Sequence, residues 1–382
     1  MKKKLKDVIS KEFKGLWGTD FSDDGIPVIK TNNMTYEGRI DFSDICIRNI
    51  PYKEAENNFL KKGDLIIEKS GGTKTHSVGY VNIFEGEDDK YVCNNFILPL
   101  RPNTELVFPK YLFWQLHGMY EAGRFSDCYN KTTGIQNLQK KTYFSKDINL
   151  PSKEEQIKIA VHLDKIQSAI DNKKQQLSLL DEAVKSEFVE MFGENPVESG
   201  KWKVETLGEI GKVSMCKRIL REQTTPEGDI PFYKIGTFGK KADAYISKEL
   251  YNEFKSRYSY PKKGSILISA SGTIGRAVVF DGEPAYFQDS NIVWIDNDET
   301  KVLNSFLQFW YGTNPWKITQ GGTISRLYNS NISEANVIIP PLEVQQSFAA
   351  FVQKIDKSKF VVKQQITDLQ ELLDSKMQEY FS

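Results

Sequence analysis

Cysteine and histidine, which build most disulfide frameworks and zinc sites, are scarce in this chain of 382 residues. It contains four cysteines and three histidines. The cysteines are Cys46, Cys93, Cys128 and Cys216. They are widely spaced and form no C-x-x-C pair, so the sequence favours reduced, mostly buried thiols over a disulfide or metal role.

Membrane and export signals are also missing. No apolar run approaches the roughly 18 residues of a membrane span. The opening MKKKLKDVIS is basic but is followed by no apolar segment, which argues against a signal peptide. We therefore expect a cytoplasmic protein that has no membrane partner.

Common catalytic signatures are absent too. No G-x-x-x-x-G-K-[ST] loop occurs, which excludes ATP binding by a P-loop. The acid-x-Lys spacing of many metal nucleases occurs at Glu12 and Glu253, but chance produces such a short pattern in a chain with 27% charged residues. The sequence therefore predicts a chain that is not an enzyme and has no catalytic residue, metal or cofactor of its own.

Net charge is zero, because 51 basic residues balance 51 acidic residues. The overall charge therefore gives no indication of nucleic acid. Phosphate contacts need Lys and Arg on one face only, so local patches still matter. Basic doublets occur outside the predicted long helices, at Lys61-Lys62, Lys140-Lys141, Lys217-Arg218, Lys240-Lys241 and Lys262-Lys263.

What the chain does contain is a long internal repeat. The segment INLPSKEEQIKIAVHLDKI from Ile148 is matched by VIIPPLEVQQSFAAFVQKI, which starts 189 residues later. Earlier blocks repeat in the same order. IPVIKTNN from Ile26 corresponds to IPFYKIGT from Ile230, and LKKGDLIIEKSGG from Leu60 corresponds to PKKGSILISASGT from Pro261. The offset falls from 204 to 201 to 189, which indicates loops of different length on one scaffold.

Each half is predicted to be a mixed globule followed by a long helix. Short β-branched or aromatic runs, punctuated by Gly, Asn and Asp, predict strands and turns, and helical patterns start near Pro109 and Leu303. The predicted fold class is α+β with an internal pseudo-two-fold repeat. The predicted segments are a globule at 1–150, a long helix at 151–192, a second globule at 193–340 and a second long helix at 341–382.

Both long helices are predicted to begin just after a proline. Ser152 and Glu155 have the S-x-x-E spacing of a capping box, and Pro341 suits a first helical position. Apolar residues then recur at 4,3 spacing from Ile159 to Val184 and from Phe348 to Leu373. Such a narrow seam needs a partner helix. An internal two-fold axis would reverse one copy, so we expect an antiparallel coiled coil.

Polar loops rich in Gly, Ser, Thr and Lys occupy matching places in the two halves. Glycine lets backbone amides approach an anion, and Lys or Arg can contact phosphates and bases. A tight turn between strands is the alternative for each loop, and the second matched pair weighs against it. The candidate nucleic-acid-binding residues are Lys69, Ser70, Thr73, Lys74, Thr75, His76, Lys131, Thr132, Thr133, Gln136, Ser269, Ser271, Thr273, Arg276, Gln320, Thr323, Ser325 and Arg326. The predicted core anchors beneath the second loops are Ile135, Leu138, Ile324 and Leu327.

A family resemblance rests on four segments. They are the repeated helix starts LPSKEEQIKIAVHLDKI and IPPLEVQQSFAAFVQKI, EMFGENP from Glu190, and the KWKVETLGEI that follows. Together these segments resemble the specificity subunit of Type I restriction-modification systems, and the likeness covers nearly the whole chain. The resemblance implies a target-recognition domain at 1–150 and another at 193–340, each of which reads one half of a bipartite site in double-stranded DNA.

The resemblance also implies partners. The two helices would set the spacer between the half-sites and bind two methyltransferase subunits, which restriction motor-nuclease subunits join for cleavage. S-adenosylmethionine, ATP and Mg²⁺ are then expected on the partner subunits. The predicted docking residues are Glu154, Glu155, Gln156, Glu343 and Gln345. Val344 replaces the second acidic residue in the second copy, a departure from the family pattern.

Two other functions stay open from the sequence. The coiled coil could be the whole function, with the globules acting as protein-binding modules of an interaction scaffold. Alternatively, the chain could be a self-contained DNA nuclease or methyltransferase with an unrecognised site. A scaffold would show no preference among DNA sequences, and an enzyme would show turnover when the purified chain is incubated alone with DNA.

Overall fold

The computed structural model describes residues 1–20, 24–73, 75–132, 135–316 and 326–381. The chain divides into two compact units. Unit 1 comprises Met1–Gln175 and Lys363–Ser382, and unit 2 comprises Gln176–Val362. Each unit therefore contains one globule and part of both long helices. In the part of the chain that the structure describes, no helix is long and apolar enough to cross a membrane.

Unit 1 is built mainly of short strands. Its strands are β1 (Lys2–Lys4), β2 (Ile9–Glu12), β3 (Ile26–Ile29), β4 (Cys46–Arg48), β5 (Leu65–Glu68), β6 (Ser70–Gly71), β7 (Val81–Ile83), β8 (Val92–Cys93), β9 (Ile97–Pro102), β10 (Tyr129–Thr132), β11 (Ile135–Leu138) and β12 (Asp147–Asn149). Its helices are α1 (Tyr52–Ala55), α2 (Pro109–Glu121), α3 (Lys140–Phe144) and the first part of α4 (Lys153–Phe192), with 3₁₀ turns at Leu5–Val8 and Thr31–Asn33.

Unit 2 is also built mainly of short strands with a few helices. Its strands are β13 (Lys203–Thr206), β14 (Gly211–Ser214), β15 (Ile230–Tyr233), β16 (Tyr245–Ile246), β17 (Ile266–Ser269), β18 (Ala277–Val279), β19 (Tyr286–Phe287), β20 (Ile292–Asn297) and β21 (Asn336–Ile339). Its helices are α5 (Leu207–Ile210), α6 (Lys248–Arg257), α7 (Asn304–Gly312), α8 (Asn329–Ser333) and the first part of α9 (Leu342–Phe381), with a 3₁₀ turn at Arg221–Gln223.

Three sheets of unit 1 have a counterpart with the same strand arrangement in unit 2. A four-stranded antiparallel sheet has the order β2-β9-β5-β7 in unit 1 and β14-β20-β17-β18 in unit 2. A three-stranded sheet has the order β4-β3-β8 in unit 1 and β16-β15-β19 in unit 2, and in both the central strand has one antiparallel and one parallel neighbour. A two-stranded sheet is formed by β1-β12 in unit 1 and by β13-β21 in unit 2, and unit 1 also contains the sheet β10-β11-β6. The predicted α+β class and the internal repeat are confirmed.

One of the two central strands of each four-stranded sheet, β5 in unit 1 and β17 in unit 2, is buried on both faces. In β5, Leu65 and Ile67 pack in the core that contains α2 and the first turns of α4, while Ile66 packs in the core beside the three-stranded sheet. The same alternation divides Ile266–Ile268 of β17 between two cores. Because side chains of a strand alternate between faces, a continuous apolar run is required where both faces are covered.

The long helices begin close to the predicted positions. Helix α4 starts at Lys153, and the Glu155 backbone N–H donates to Ser152 Oγ at 3.3 Å, which supplies half of the predicted capping box. Helix α9 starts at Leu342, so Pro341 precedes the helix and does not occupy its first position. Each helix contains 40 residues, which corresponds to about 60 Å at about 1.5 Å per residue.

Within each unit the two long helices pack antiparallel, as predicted. In unit 1 the first turns of α4 meet the last turns of α9, where His162 Nδ1 lies 2.8 Å from Tyr380 Oη. In unit 2 Phe188 packs against Phe348, with ring centroids 5.8 Å apart. Lys359, which interrupts the apolar seam, forms an ion pair with Asp181 at 2.6 Å. The interruption is therefore matched by a charge on the other helix.

A histidine in α2 makes the stability of unit 1 depend on pH. His117 packs beside the rings of Phe113 and Trp114, and burial lowers its pKa to about 4, while Glu37 and Asp374 oppose the shift. The folded pKa lies below the ordinary value, so the unfolded chain binds more protons between pH 6.5 and pH 4. Stability from this group is present above pH 6.5 and is lost as the pH falls through that window.

We expect the free energy of unfolding to fall by about 2 to 3 kcal/mol across this window because of His117, since one pKa unit corresponds to about 1.4 kcal/mol. Denaturant titrations at several pH values would measure the slope. His117→Gln should remove this part of the slope and leave the contribution of the carboxylates. Equal slopes for the two proteins would contradict the prediction.

Candidate nucleic-acid interface

The two candidate loops of unit 1 lie side by side. Strand β6 contains Ser70, and it pairs with β11 through Ser70↔Asn137 and Gly71↔Gln136. Strand β11 in turn pairs with β10, which makes a three-stranded sheet in the order β10-β11-β6. The structure therefore joins two segments that are more than 60 residues apart in the sequence.

Gln136 holds this loop pair together. Its Oε1 accepts from the Val78 backbone N–H at 3.2 Å, and its Nε2 donates to the Thr73 carbonyl at 3.2 Å. The amide is therefore occupied within the loop. Gln136 therefore has a structural role in the loop, and its contact with DNA stays a prediction.

The loop that follows β6 is ordered by its own side chains. The Thr73 hydroxyl oxygen accepts from the His76 backbone N–H at 3.0 Å, and Thr75 Oγ1 lies 3.0 Å from His76 Nδ1. The His76 ring stacks on Tyr36, with centroids 3.7 Å apart and an interplanar angle of 18°. Thr73 and Thr75 are exposed residues whose hydroxyl groups take part in hydrogen bonds within the loop. Lys74 lies outside the described residues.

The side chains of strand β11 point alternately to the two faces of the sheet. Leu138 is buried, as predicted, but Ile135 is 55% exposed, so the prediction that Ile135 is a core anchor is wrong. The alternation of strand side chains explains the difference, because Gln136 and Leu138 share the inward face. Lys131 and Thr132 belong to β10, and Thr133 lies outside the described residues.

Two lysines beside this sheet supply positive charge. Burial and the neighbouring Lys140 lower the pKa of Lys69, and Glu12 opposes the shift. Lys140 also forms an ion pair with Glu12. The carboxyl of Glu68 lies beneath the loop, accepts from the Gly72 backbone N–H at 3.3 Å, and has its pKa raised by burial. Lys69 and Lys140 therefore lie beside the loop, and the carboxyl of Glu68 is buried beneath it.

The matching loop of unit 2 is a tight turn built around Ser269. This side chain is buried, accepts from the Arg276 backbone N–H at 3.0 Å and donates to the Thr273 carbonyl. Ser271 Oγ lies 2.9 Å from Asn291 Oδ1, which ties the turn to the loop before β20. Ser269 is thus a structural residue of the turn, and its contact with DNA stays a prediction. Thr273 is exposed.

Two arginines of unit 2 are each held by a backbone carbonyl. Arg276 Nη1 donates to the Phe238 carbonyl at 3.0 Å, and Arg326 Nη2 donates to the Ser290 carbonyl at 2.7 Å. Ser290 has a φ of 60°, a conformation that costs free energy in a residue with a Cβ. Both guanidinium groups retain further N–H donors. Leu327 is buried, as predicted, whereas Gln320, Thr323, Ile324 and Ser325 lie outside the described residues.

The glutamines at the starts of the long helices, Gln156 and Gln345, are buried and hydrogen-bond to the backbone of a distant segment. We call each of these side chains with its hydrogen bonds a clamp. Gln156 Oε1 accepts from the Phe108 backbone N–H at 2.8 Å, and its Nε2 donates to the Leu106 and Pro151 carbonyls at 3.3 and 3.1 Å. The Phe108 amide immediately precedes α2, so the clamp joins the head of α4 to the start of that helix.

Gln345 repeats this arrangement in unit 2. Its Oε1 accepts from the Leu303 backbone N–H at 2.8 Å, and its Nε2 donates to the Lys301 and Pro340 carbonyls at 2.9 and 2.7 Å. Gln156 is 2% exposed and Gln345 is fully buried, so both side chains have a structural role, and their part in subunit docking stays a prediction. The neighbouring Glu154, Glu155 and Glu343 are exposed.

The model of the Type I restriction modification DNA specificity domain matches the chain twice, over residues 1–182 and 199–371. The chain belongs to this family. Its two halves are therefore two copies of the specificity domain, and each copy ends in a long helix.

Named relatives agree with this assignment. A protein of Haemophilus influenzae named as a type I restriction enzyme specificity subunit is 63% identical over 154 residues, which cover 40% of this chain and only 40% of that protein. The type I restriction enzyme MjaIX specificity subunit of Methanocaldococcus jannaschii is 24% identical over an alignment of 408 residues, which covers 98% of this chain and 90% of that protein.

A solved structure shares the fold. The crystal structure of a Type I restriction-modification system S subunit from M. genitalium matches with a TM-score of 0.59 at 16% identity, covering 100% of this chain and 96% of that chain. The chain therefore shares the fold of that S subunit.

Sequence reasoning missed one face of the first specificity domain. Asn130 and Asn137 are opposite each other in β10 and β11, and Asn137 is also opposite Ser70 in β6. All three side chains project from the face that carries the exposed Ile135, because paired residues and residues two apart in a strand share a face. The sequence could have indicated this face. In a strand over Ile135–Leu138, a buried Leu138 places Gln136 on the inward face and Ile135 and Asn137 on the outward face.

Proposed function

We propose that this chain is the non-catalytic, sequence-specific DNA-binding subunit of a Type I restriction-modification complex. Its two specificity domains would each lie on duplex DNA and read one half of a bipartite site. Lys and Arg side chains would bind phosphates and fix the register, while loop side chains would contact base edges. The observation that carries the proposal is the duplication of a DNA specificity domain with different side chains on matching loops.

The two domains offer different chemistry, so the half-sites should differ in sequence. The first presents the exposed residues Thr73 and Thr75 beside Lys69 and Lys140. The second presents Thr273 together with the guanidinium groups of Arg276 and Arg326. Guanidinium is the usual partner of guanine O6 and N7, and each good pair of base contacts discriminates by about 1 to 3 kcal/mol. A handful of such contacts in each domain would give a specific site.

Partner subunits would supply the catalysis. The exposed Glu154, Glu155 and Glu343 lie at equivalent starts of α4 and α9, and two equivalent positions suit two methyltransferase subunits. Restriction motor-nuclease subunits would join this assembly in the cytoplasm. S-adenosylmethionine, ATP and Mg²⁺ would then bind to the partners. The long helices would set the number of base pairs between the two half-sites.

Selection from random duplexes tests the proposal. We expect the full chain, together with its methyltransferase partners, to enrich two blocks of defined sequence separated by a gap of constant length and random sequence. Thr73→Ala/Thr75→Ala should change the enriched sequence in one block, and Arg326→Ala should change it in the other. Each change should alter preference without abolishing binding, since phosphate contacts supply much of the affinity at a fixed salt concentration.

The alternatives give different results in the same experiment. An interaction scaffold would enrich no sequence. A single enriched block, or both blocks altered by either variant, would contradict the assignment of one half-site to each domain. Turnover of DNA by the purified chain alone would contradict a non-catalytic role.

A further inference from the structure

We propose that the outward face of the sheet β10-β11-β6 reads an A·T step in the first half-site. Ile135 would contact the methyl group of a thymine, and the Asn137 amide would bind an adenine. This inference rests on the proposed function and names the bases and atoms that the first domain recognises. The two contacts would come from one strand, β11, which carries both residues.

The register of the sheet places these side chains on one surface. Asn137 pairs with Ser70 on one side and with Asn130 on the other, and Ile135 follows on the same face two residues away. The opposite face carries Leu138, which is buried, and Gln136, whose amide is used inside the loop. The outward face is therefore free of core contacts, and Ile135 is 55% exposed on it.

The hydrogen bonding of Asn137 leaves a suitable pair of atoms for adenine. Ser70 Oγ donates to Asn137 Oδ1, which uses one acceptor position and sets the orientation of the amide. Nδ2 and the second acceptor position of Oδ1 remain. Asn uses this combination to accept from adenine N6 and donate to adenine N7. Ser70 is thus a positioning residue for Asn137.

Ile135 supplies the apolar half of the recognition. Thymine is the base that presents a methyl group in the major groove, so an exposed aliphatic side chain beside an amide matches an A·T pair better than a G·C pair. Residues two apart in a strand lie about 6.8 Å apart, and base pairs rise by about 3.4 Å. The two side chains can therefore address base pairs up to about two steps apart.

The surroundings favour DNA as the occupant of this face. Lys69 precedes Ser70, and Lys140, which forms an ion pair with Glu12, follows β11 closely enough to lower the pKa of Lys69 further after burial. Two lysines beside an amide-bearing strand provide phosphate contacts next to base contacts, and a small β-ribbon fits the major groove. A protein partner would be less well matched by a face with one isolated aliphatic side chain among Asn and Ser.

Atomic substitutions in the DNA test the inference with the full chain. Each thymine of the first block is replaced in turn by uracil, which lacks the methyl group. At one position we expect binding to weaken about fourfold, equivalent to about 0.8 kcal/mol for one buried methyl group. Ile135→Ala should weaken binding to the natural site to a similar extent and should be insensitive to uracil at that position.

The amide contact is tested in the same way with 7-deazaadenine, which lacks the N7 acceptor. Asn137→Ala should bind the natural site about tenfold more weakly, within the range of one bidentate base contact. It should also lose the sensitivity to 7-deazaadenine that the natural chain shows at one position. Ser70→Ala should show a smaller loss, because it removes only the group that orients the amide.

Matched controls are available on other surfaces. Leu179→Ala removes a side chain of the same carbon count that is 56% exposed, and Asn57→Ala removes another exposed amide. Both should retain natural affinity and natural sensitivity to uracil and 7-deazaadenine. Thermal melting of all five variants would check that the substitutions leave folding intact.

Two failures can be told apart. Absence of any enriched sequence would contradict the proposed function itself. An enriched first block whose uracil sensitivity is unchanged in Ile135→Ala, or a block that contains no A·T pair, would overturn only the assignment of this face.

Discussion

Replacing Gln345 by alanine is expected to lower the free energy of unfolding of unit 2 by about 3 kcal/mol or more, at the upper end of single-substitution effects, because it breaks a buried hydrogen-bond network. The fully buried amide makes three hydrogen bonds, to the backbone of Leu303, Lys301 and Pro340. Alanine would leave the Leu303 N–H and two carbonyls without a partner, at about 1 to 3 kcal/mol for each unsatisfied group that stays dry.

The adjacent residue provides a matched control. Gln346 is exposed on the same turn of α9, so Gln346→Ala should change stability by less than about 0.5 kcal/mol. Chemical denaturation would measure both variants, and amide hydrogen exchange would show faster opening at Leu303 only in Gln345→Ala. Equal stability of the two variants would show that the clamp contributes nothing. Gln156→Ala should behave in the same way in unit 1, with increased exchange at Phe108.

Replacing Asp64 by serine is expected to destabilise unit 1 by about 3 kcal/mol or more, because it leaves a partly buried arginine without its partner. Asp64 is 1% exposed and forms a bidentate pair with Arg101, at 2.8 Å to Nε and 2.7 Å to Nη2. Serine is the residue at the matching place in unit 2, where Ser265 Oγ accepts from the Lys262 backbone N–H at 3.0 Å. The turn itself should therefore tolerate the change.

The double variant Asp64→Ser/Arg101→Leu should recover much of this loss, since replacing both members of a buried pair is far less costly than removing one. Arg101→Leu alone should also destabilise, because the buried carboxylate would then lose its guanidinium partner. Denaturant unfolding of the four proteins closes a double-mutant cycle. Additive losses would mean that the two side chains do not act as a pair.

Regular spacing in the sequence predicted the parts of the fold that repeat. The matched blocks predicted two copies of one scaffold, and the structure confirms this in the duplicated sheet orders. The 4,3 spacing predicted the long helices, whose observed starts at Lys153 and Leu342 lie within two residues of the expected boundaries. Such patterns are visible locally because burial repeats with the period of the element.

Residues whose role depends on distant contacts could not be predicted in this way. Gln156 lies in the first turn of a helix, where a polar side chain is usually exposed, and the chain that covers it comes from 106–108. Ser269 and Gln136 carried the composition expected of a DNA-binding loop, but each satisfies the backbone of its own loop. Only the fold shows which polar side chains remain available after these internal requirements are met.

Unit 1 is built from two segments that are far apart in the sequence, and this affects the order in which it can fold during synthesis. Its core includes Leu373 and Phe381 of α9, together with side chains from β5 and α2. A ribosome makes the globule of the first domain long before it makes residues 363–381. The amino-terminal domain therefore keeps an uncovered apolar surface until α9 is made, so its core is completed only after the second domain has been synthesised.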